Sequence, residues 1–213
     1  MAERRVVSLV RKIKNVIFDI GNVLMDFDWM KYMRSRYGED EEKIRIINDA
    51  IWSHGYWQAM DRGEISGQEA VDRVAAVAPE YEQDIRQTLA QAGNAMHKHS
   101  YAIPWLRELK DMGKDVYYLS NYSEFAMEAN WGVLDFLPLM DGGIFSCYVK
   151  MAKPDHAIYR HLCEKYHLDP VECLFTDDMP ENIQAAKECG FHAILFEGYE
   201  KTYPAIMEML QQE

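Results

Sequence analysis

VIFDIGNVLMDFD, residues 16–28, opens with three residues suited to a buried strand and then sets a carboxylate at its end. Val16, Ile17 and Phe18 are β-branched or aromatic, the types that pack well on a pleated surface. Asp19 follows at once, and the chain then turns through Gly21 and Asn22. A carboxylate so close to a core loses solvation unless something binds it. In an open parallel sheet, ligands sit beyond the carboxyl ends of the strands. Asp19 therefore marks a candidate site as well as the end of a strand.

Similar apolar runs recur at 116–119, 173–175 and 193–196, with 144–149 as an edge candidate. They are nearly continuous in apolarity rather than alternating, as expected of strands covered on both faces. Helical patterns separate them. One begins near Pro104 and closes at Gly113, and others run over about 154–166 and 181–190. A last helix is expected from Tyr203 or Pro204 to the end, with Ile206, Met207 and Leu210 on one face. Alternating strands and helices predict an α/β fold, a doubly wound and mostly parallel sheet of Rossmann-like type.

The alternation breaks between Asp28 and His97, where no strand is legible. Helical spacing takes over at Ile44, Ile47 and Ile51, at Trp57 and Met60, at Ala70, Val74 and Val77, and at Ile85 and Leu89. Ser66 reads as an N-cap, with Glu69 completing a capping box. The expected organisation is a core built from 1–27 and 98–213, with a small helical lobe at 28–97 inserted after the first strand.

The chain has 213 residues and a formal net charge of −12. Nearly half of them are hydrophobic, so a sizeable core is affordable and disorder is not expected. The acidic balance and the lack of a strong basic patch argue against nucleic acid as a partner. No apolar run approaches the roughly 18 residues that cross a bilayer, and residues 1–14, though locally basic, lack a signal-peptide core. That segment reads as a tail or a leading strand. The four cysteines, Cys147, Cys163, Cys173 and Cys189, form no C-x-x-C pair. They read as small core residues of a chain in a reducing, cytoplasmic compartment.

Three polar clusters join Asp19 at strand ends or helix starts: Ser120-Asn121, Lys153 before Pro154, and Asp177-Asp178. Alone, each is an ordinary turn or cap. Together they supply a carboxylate nucleophile, a hydroxyl and amides for an anion, a lysine, and a carboxylate pair for a cation.

The order F-D-I-G-N-V, L-S-N, K-P-D-x-x-I-Y and T-D-D-M-P-E-N-I resembles the haloacid dehalogenase superfamily. It is most similar to the phosphatase branch with a small helical cap after the first motif. The likeness runs from about Asn15 to Phe196. It implies that Asp19 attacks phosphorus to give an aspartyl-phosphate, and that Lys153 offsets the charge on Asp19 and the phosphoryl group. It implies that Ser120 and Asn121 hold phosphate oxygens. It also implies Mg²⁺, held by Asp19, the carbonyl of Gly21, Asp178 and Asp177, the last directly or through water. Adjacent carboxylates repel without a cation, which agrees with a metal at Asp177-Asp178. Asn182 would orient this cluster or serve as a helix N-terminal residue. The implied partner is a small phosphorylated metabolite, with neither nucleic acid nor membrane involved.

Gly21 departs from the pattern. Most phosphatases of the superfamily carry an aspartate there as general acid and base, a function worth roughly 10²–10⁴-fold. Members with the same D-x-G-N-V pattern, resembling α-D-glucose-1-phosphate phosphatase, act on sugar phosphates, so a sugar phosphate is the expected substrate class. Asp26, Asp28 or a lobe residue would then replace the missing group, although Asp26 and Asp28 also read as hinge or capping residues. Two alternatives are a phospho-ligand or protein-binding protein without turnover, and a 2-haloacid dehalogenase, a branch that needs neither the metal nor the Asp177-Asp178 pair. In the lobe, Trp52, His54, Tyr56, Trp57 and Arg62 are the expected substrate-facing positions. Met25 is expected near the entrance, and His97-Lys98-His99 as the return to the core rather than a metal site.

Overall fold

The structure is a computed structural model and describes residues 12–211. Most of the basic leading segment therefore lies outside the described residues. The elements in chain order are β1 (Asn15–Phe18), β2 (Met25–Phe27), α1 (Trp29–Tyr37), α2 (Glu41–Trp52), α3 (Tyr56–Asp61), α4 (Gly67–Val77), α5 (Glu82–Ala90), β3 (Met96–Lys98), α6 (Ala102–Asp111), β4 (Asp115–Ser120), α7 (Glu124–Asn130), β5 (Gly142–Phe145), α8 (Ser146–Val149), α9 (His156–Tyr166), β6 (Cys173–Asp177), α10 (Pro180–Glu188), β7 (His192–Leu195) and α11 (Tyr199–Gln211).

Among the described residues, β5, β4, β1, β6 and β7 form one sheet in that order, with every pair parallel. β1 lies at its centre, and all four of its residues are buried. Successive side chains of a strand point to opposite faces. Val16 and Phe18 accordingly join Trp105, Leu106, Ile206 and Leu210, from α6 and α11, on one face. Ile17 joins Tyr159, Leu162, Ile183 and Ala186, from α9 and α10, on the other. Phe18 meets Trp105 edge to face at 4.7 Å. The doubly wound α/β fold read from the sequence is the fold observed.

Three expectations shift in detail. The edge strand is Gly142–Phe145, and 146–149 is a helical turn. Its two glycines look like a turn in sequence, yet they are glycines because aromatic rings cover them. A Cβ at Gly143 would lie 2.3 Å from the Tyr118 ring, and one at Gly142 would lie 2.6 Å from Tyr166. The last helix begins at Tyr199, with Pro204 inside it. Its first turn is held by Thr202, whose hydroxyl accepts from the Glu197 amide at 3.0 Å, and by Tyr199 stacked on Tyr101 at 4.2 Å. Of the cysteines, Cys173 is buried, while Cys147, Cys163 and Cys189 are partly exposed; all four are free.

Between β2 and β3 the chain is helical and has its own cluster of buried residues. Ile44, Ile47, Ile51, Val74, Ile85 and Leu89 pack there with Trp29, Tyr32 and Met33. Val77, expected on the same face as Val74, is exposed because α4 ends at it. Ser66 caps α4 by accepting from the Glu69 amide at 3.1 Å, but the Glu69 carboxylate bonds Arg73 instead of returning to close the box. The strand overlooked in this stretch is β3, which begins at Met96. It pairs antiparallel with β2, setting Asp26 opposite His97, and so clamps the two crossings together.

The helical segment meets the core closely at three glycines. A Cβ at Gly63 would lie 2.4 Å from the Cys147 carbonyl oxygen, one at Gly93 2.1 Å from that of Ala129, and one at Gly67 2.7 Å from the Phe125 ring.

Candidate functional site

β1, β4 and β6 run parallel and in register, with Phe18 beside Tyr118 and Thr176. The residues that end them, Asp19, Ser120 and Asp177, therefore emerge side by side. The Asp19 amide donates to the Thr176 carbonyl at 2.9 Å, and its carboxylate accepts from the Ile20 amide at 2.7 Å. Asn22 takes the left-handed turn after it, a conformation that asparagine tolerates.

Lys153 reaches into this corner from the loop before α9. Its Nζ lies 2.9 Å from Asp19 and 2.6 Å from Asp177. Asn121 fixes the lysine backbone by a reciprocal pair: the Lys153 amide donates to Oδ1 at 2.8 Å, and Nδ2 donates to the Lys153 carbonyl at 2.9 Å. Asp177 is fully buried, and its second oxygen accepts from the Met179 amide at 2.8 Å and from Asn182 at 2.9 Å. Asp178 is less buried and accepts from Asn22 at 2.9 Å.

Burial pushes the Asp19 carboxyl up to about 6; Lys153 pulls it down, Asp177 pushes it up again, and a hydrogen bond from Ser120 lowers it. Burial disfavours the Lys153 ammonium, but Asp19 and Asp177 more than offset that and raise its pKa. A protonated lysine thus faces carboxylates that are costly to ionise together.

Asp19, Asp177 and Asp178 each offer an oxygen within 4.8 Å of the others. Three hard carboxylate oxygens converging on one spot fit a small divalent cation. Lys153 alone leaves two of the three negative charges uncompensated. The donor set therefore fits a metal of the Mg²⁺ type.

A cavity of about 140 Å³ adjoins this corner. Gly21, Asn22, Asp26 and Asn121 form its polar wall, and Met25, Phe27, Met96, Tyr122 and Ala126 its apolar walls. Trp57 and Asp61, both on α3, line the side facing the helical segment. Met25 and Trp57, singled out in the sequence, both line this cavity. Trp52 packs on Trp57, Trp29 and Phe27, His54 stacks on Tyr56, and Arg62 bonds Glu64 at 2.6 Å. None of Trp52, His54, Tyr56 and Arg62 lines the cavity. His97 and His99 join no three-ligand cluster among the described residues, and Lys98 pairs with Asp135.

Two residues of the site were not singled out in the sequence. Asn22 read only as a turn. Nothing in the local pattern around Asp61 shows that a residue on α3 will line a cavity with Gly21.

A family model described as haloacid dehalogenase-like hydrolase matches residues 13–190. Among curated proteins, the sesquiterpene phosphatase astK of Aspergillus oryzae is 27% identical over 184 residues, 83% of this chain and 86% of that one. The D-ribitol-5-phosphate phosphatase of Bacteroides thetaiotaomicron is 27% identical over 190 residues, 84% and 89% of the two chains. A crystal structure of a HAD family enzyme from Bacteroides thetaiotaomicron superposes with a TM-score of 0.71 at 22% identity, covering 91% of this chain and 99% of that one. The same enzyme, in complex with magnesium and inorganic phosphate, gives a TM-score of 0.70 at 21% identity, covering 90% and 99%.

Proposed function

Since the chain belongs to the haloacid dehalogenase-like hydrolases, we propose that it is a phosphatase that hydrolyses a small phosphomonoester through phosphorylation of Asp19. The observation that carries this reading is the corner itself: Asp19 ends the central strand against Lys153 and Ser120, within a cluster of three carboxylates. The two relatives bearing phosphatase names support it.

Asp19 is the nucleophile. Asn121 orients Lys153, whose ammonium offsets charge on Asp19 and on the phosphoryl oxygens during transfer. The Ser120 hydroxyl and the Asn121 amide hold two of those oxygens. Asp19, Asp178, the Gly21 carbonyl and Asp177 are the residues that would hold Mg²⁺, which would supply charge neutralisation during phosphoryl transfer. Of the two adjacent aspartates, Asp178 is the freer ligand, because Lys153, Asn182 and the Met179 amide already engage Asp177. The lobe at 28–97 acts as a cap that shields the site from water and chooses the substrate.

A sugar phosphate remains the substrate class suggested by the D-x-G-N-V pattern. A second class is favoured by the cavity, where Met25, Phe27, Trp57, Met96 and Tyr122 stand beside four polar residues: a phosphate ester with a partly apolar alcohol. The cavity's about 140 Å³ is below the roughly 300 Å³ at which pockets for drug-sized ligands begin, so the alcohol is small. The test is phosphate release from sugar phosphates and short alkyl or isoprenyl phosphates, with Mg²⁺ and with EDTA, beside Asp19→Asn. Release that needs metal and disappears in the variant is the expected result. Release unchanged in Asp19→Asn would sink the mechanism, and chloride release from chloroacetate would point to dehalogenation instead.

A further inference from the structure

Gly21 leaves a proton transfer without an owner, and the cavity beside it contains two carboxylic acids, Asp26 and Asp61. Asp28 is engaged as the N-cap of α1, accepting from the Lys31 amide at 3.1 Å. Asp26 stands on the β2–β3 ribbon. Asp61 is built into the junction between lobe and core. Its carboxyl is hydrogen-bonded by Ser123, which follows β4. Its backbone carbonyl accepts from the Ser146 hydroxyl, which follows β5. Two residues on, Gly63 lies against the Cys147 carbonyl too closely for any side chain. The core thus fixes Asp61 from two strand ends, at a residue that lines the cavity together with Gly21 and Asn22.

We propose that Asp61 is the general acid and base of this enzyme, supplied by the lobe in place of the aspartate missing at Gly21. The inference rests on the phosphatase reading. As Asp19 bonds to phosphorus and the ester P–O bond breaks, protonated Asp61 gives its proton to the leaving alcohol oxygen. The Asp61 carboxylate then takes a proton from water as that water attacks phosphorus. The Asp19–phosphorus bond breaks, inorganic phosphate leaves, and the acid is restored.

The surroundings suit a group with two protonation states. Burial pushes the Asp61 carboxyl up to about 7, with Ser123 and Arg62 opposing. Tyr122 and Cys147 face it from the core and feel its charge, and Asp26 shares its cavity. A general acid and base works best with a pKa near the working pH.

The experiment uses p-nitrophenyl phosphate with Mg²⁺, because its leaving group needs no acid. Wild type, Asp61→Asn, Asp26→Asn and Asp61→Asn with Gly21→Asp are compared. In Asp61→Asn we expect one burst of nitrophenolate per enzyme, then a stall with phosphorylated Asp19 visible by mass. Steady turnover should fall by roughly 10²–10⁴-fold. Wild-type turnover should rise with pH through about 7, a limb that Asp61→Asn lacks. Gly21→Asp should restore turnover in the Asp61→Asn background, since a Cβ at Gly21 meets nothing within 4 Å. Wild-type turnover in Asp61→Asn, or a burst and stall in Asp26→Asn alone, would overturn the assignment. So would a loss in Asp61→Asn that comes with a collapsed melting temperature and no rescue. A wild type that neither releases phosphate nor becomes phosphorylated at Asp19 would overturn the phosphatase reading as well.

Discussion

Lys153 and its two carboxylates show how closely activity and stability are tied at a single residue. The ammonium is buried between Asp19 and Asp177. Lys153→Ala therefore removes the charge proposed above to act in phosphoryl transfer and also leaves two buried carboxylates unpaired, a loss on the order of 3–5 kcal/mol. The expected outcome is no measurable turnover and a melting temperature that recovers as pH falls, because the stranded carboxylates can then protonate; melting curves across pH check it. Asp61 gives a second pH signature. Its folded pKa, about 7, lies above the ordinary 3.8. Its contribution to stability is therefore complete below the ordinary value and is lost as pH rises through about 7. Asp61→Asn should flatten that decline in urea titrations at successive pH values. Asp19, Ser120, Lys153 and the aspartate pair were legible in the sequence, because each ends a strand or precedes a helix and the ends of parallel strands converge. Asp61 was not, because its position depends on how a distant helix docks.

At the scale of elements, β5 and the junction at α3 and α4 depend on residues without side chains. The edge strand was misplaced in the sequence because Gly142 and Gly143 look like a turn until Tyr118 and Tyr166 are seen to cover them. At the lobe, Gly93→Ala would drive a Cβ into the Ala129 carbonyl. Overpacking of that kind typically costs about 1–3 kcal/mol. We expect Gly93→Ala to lower the melting temperature and to speed proteolysis within the lobe, read by the appearance of fragments cut between α1 and α5. Wild-type cleavage rates would show that the junction yields easily. The β2–β3 ribbon, short and unseen in the sequence, ties entry and exit of the lobe at one place.

Across the whole molecule, three carboxylates converge on one cation site in a chain whose net charge is −12. A cation that binds only the folded state raises stability with its concentration, by about 2.7 kcal/mol at a hundredfold excess over Kd. Mg²⁺ should therefore raise the wild-type melting temperature, and should do so much less in Asp178→Ala. An equal shift in both would place the cation elsewhere. No helix among the described residues is long and apolar enough to cross a membrane. The doubly wound core was readable from apolar runs of strand length. The boundaries of the helical lobe were less so, because the chain's crossings are paired strands of only three residues each.

The contacts at Gly63, Gly67 and Gly93 have a consequence for how the protein should respond to salt. The nearest core neighbours of the lobe there are two backbone carbonyls and one aromatic ring. Contacts of that kind are not screened by ions, whereas the attraction of a phosphate ester to its site is. Rising ionic strength should therefore weaken capture of substrate while leaving the fit of lobe on core as it is, so that KM climbs and kcat holds.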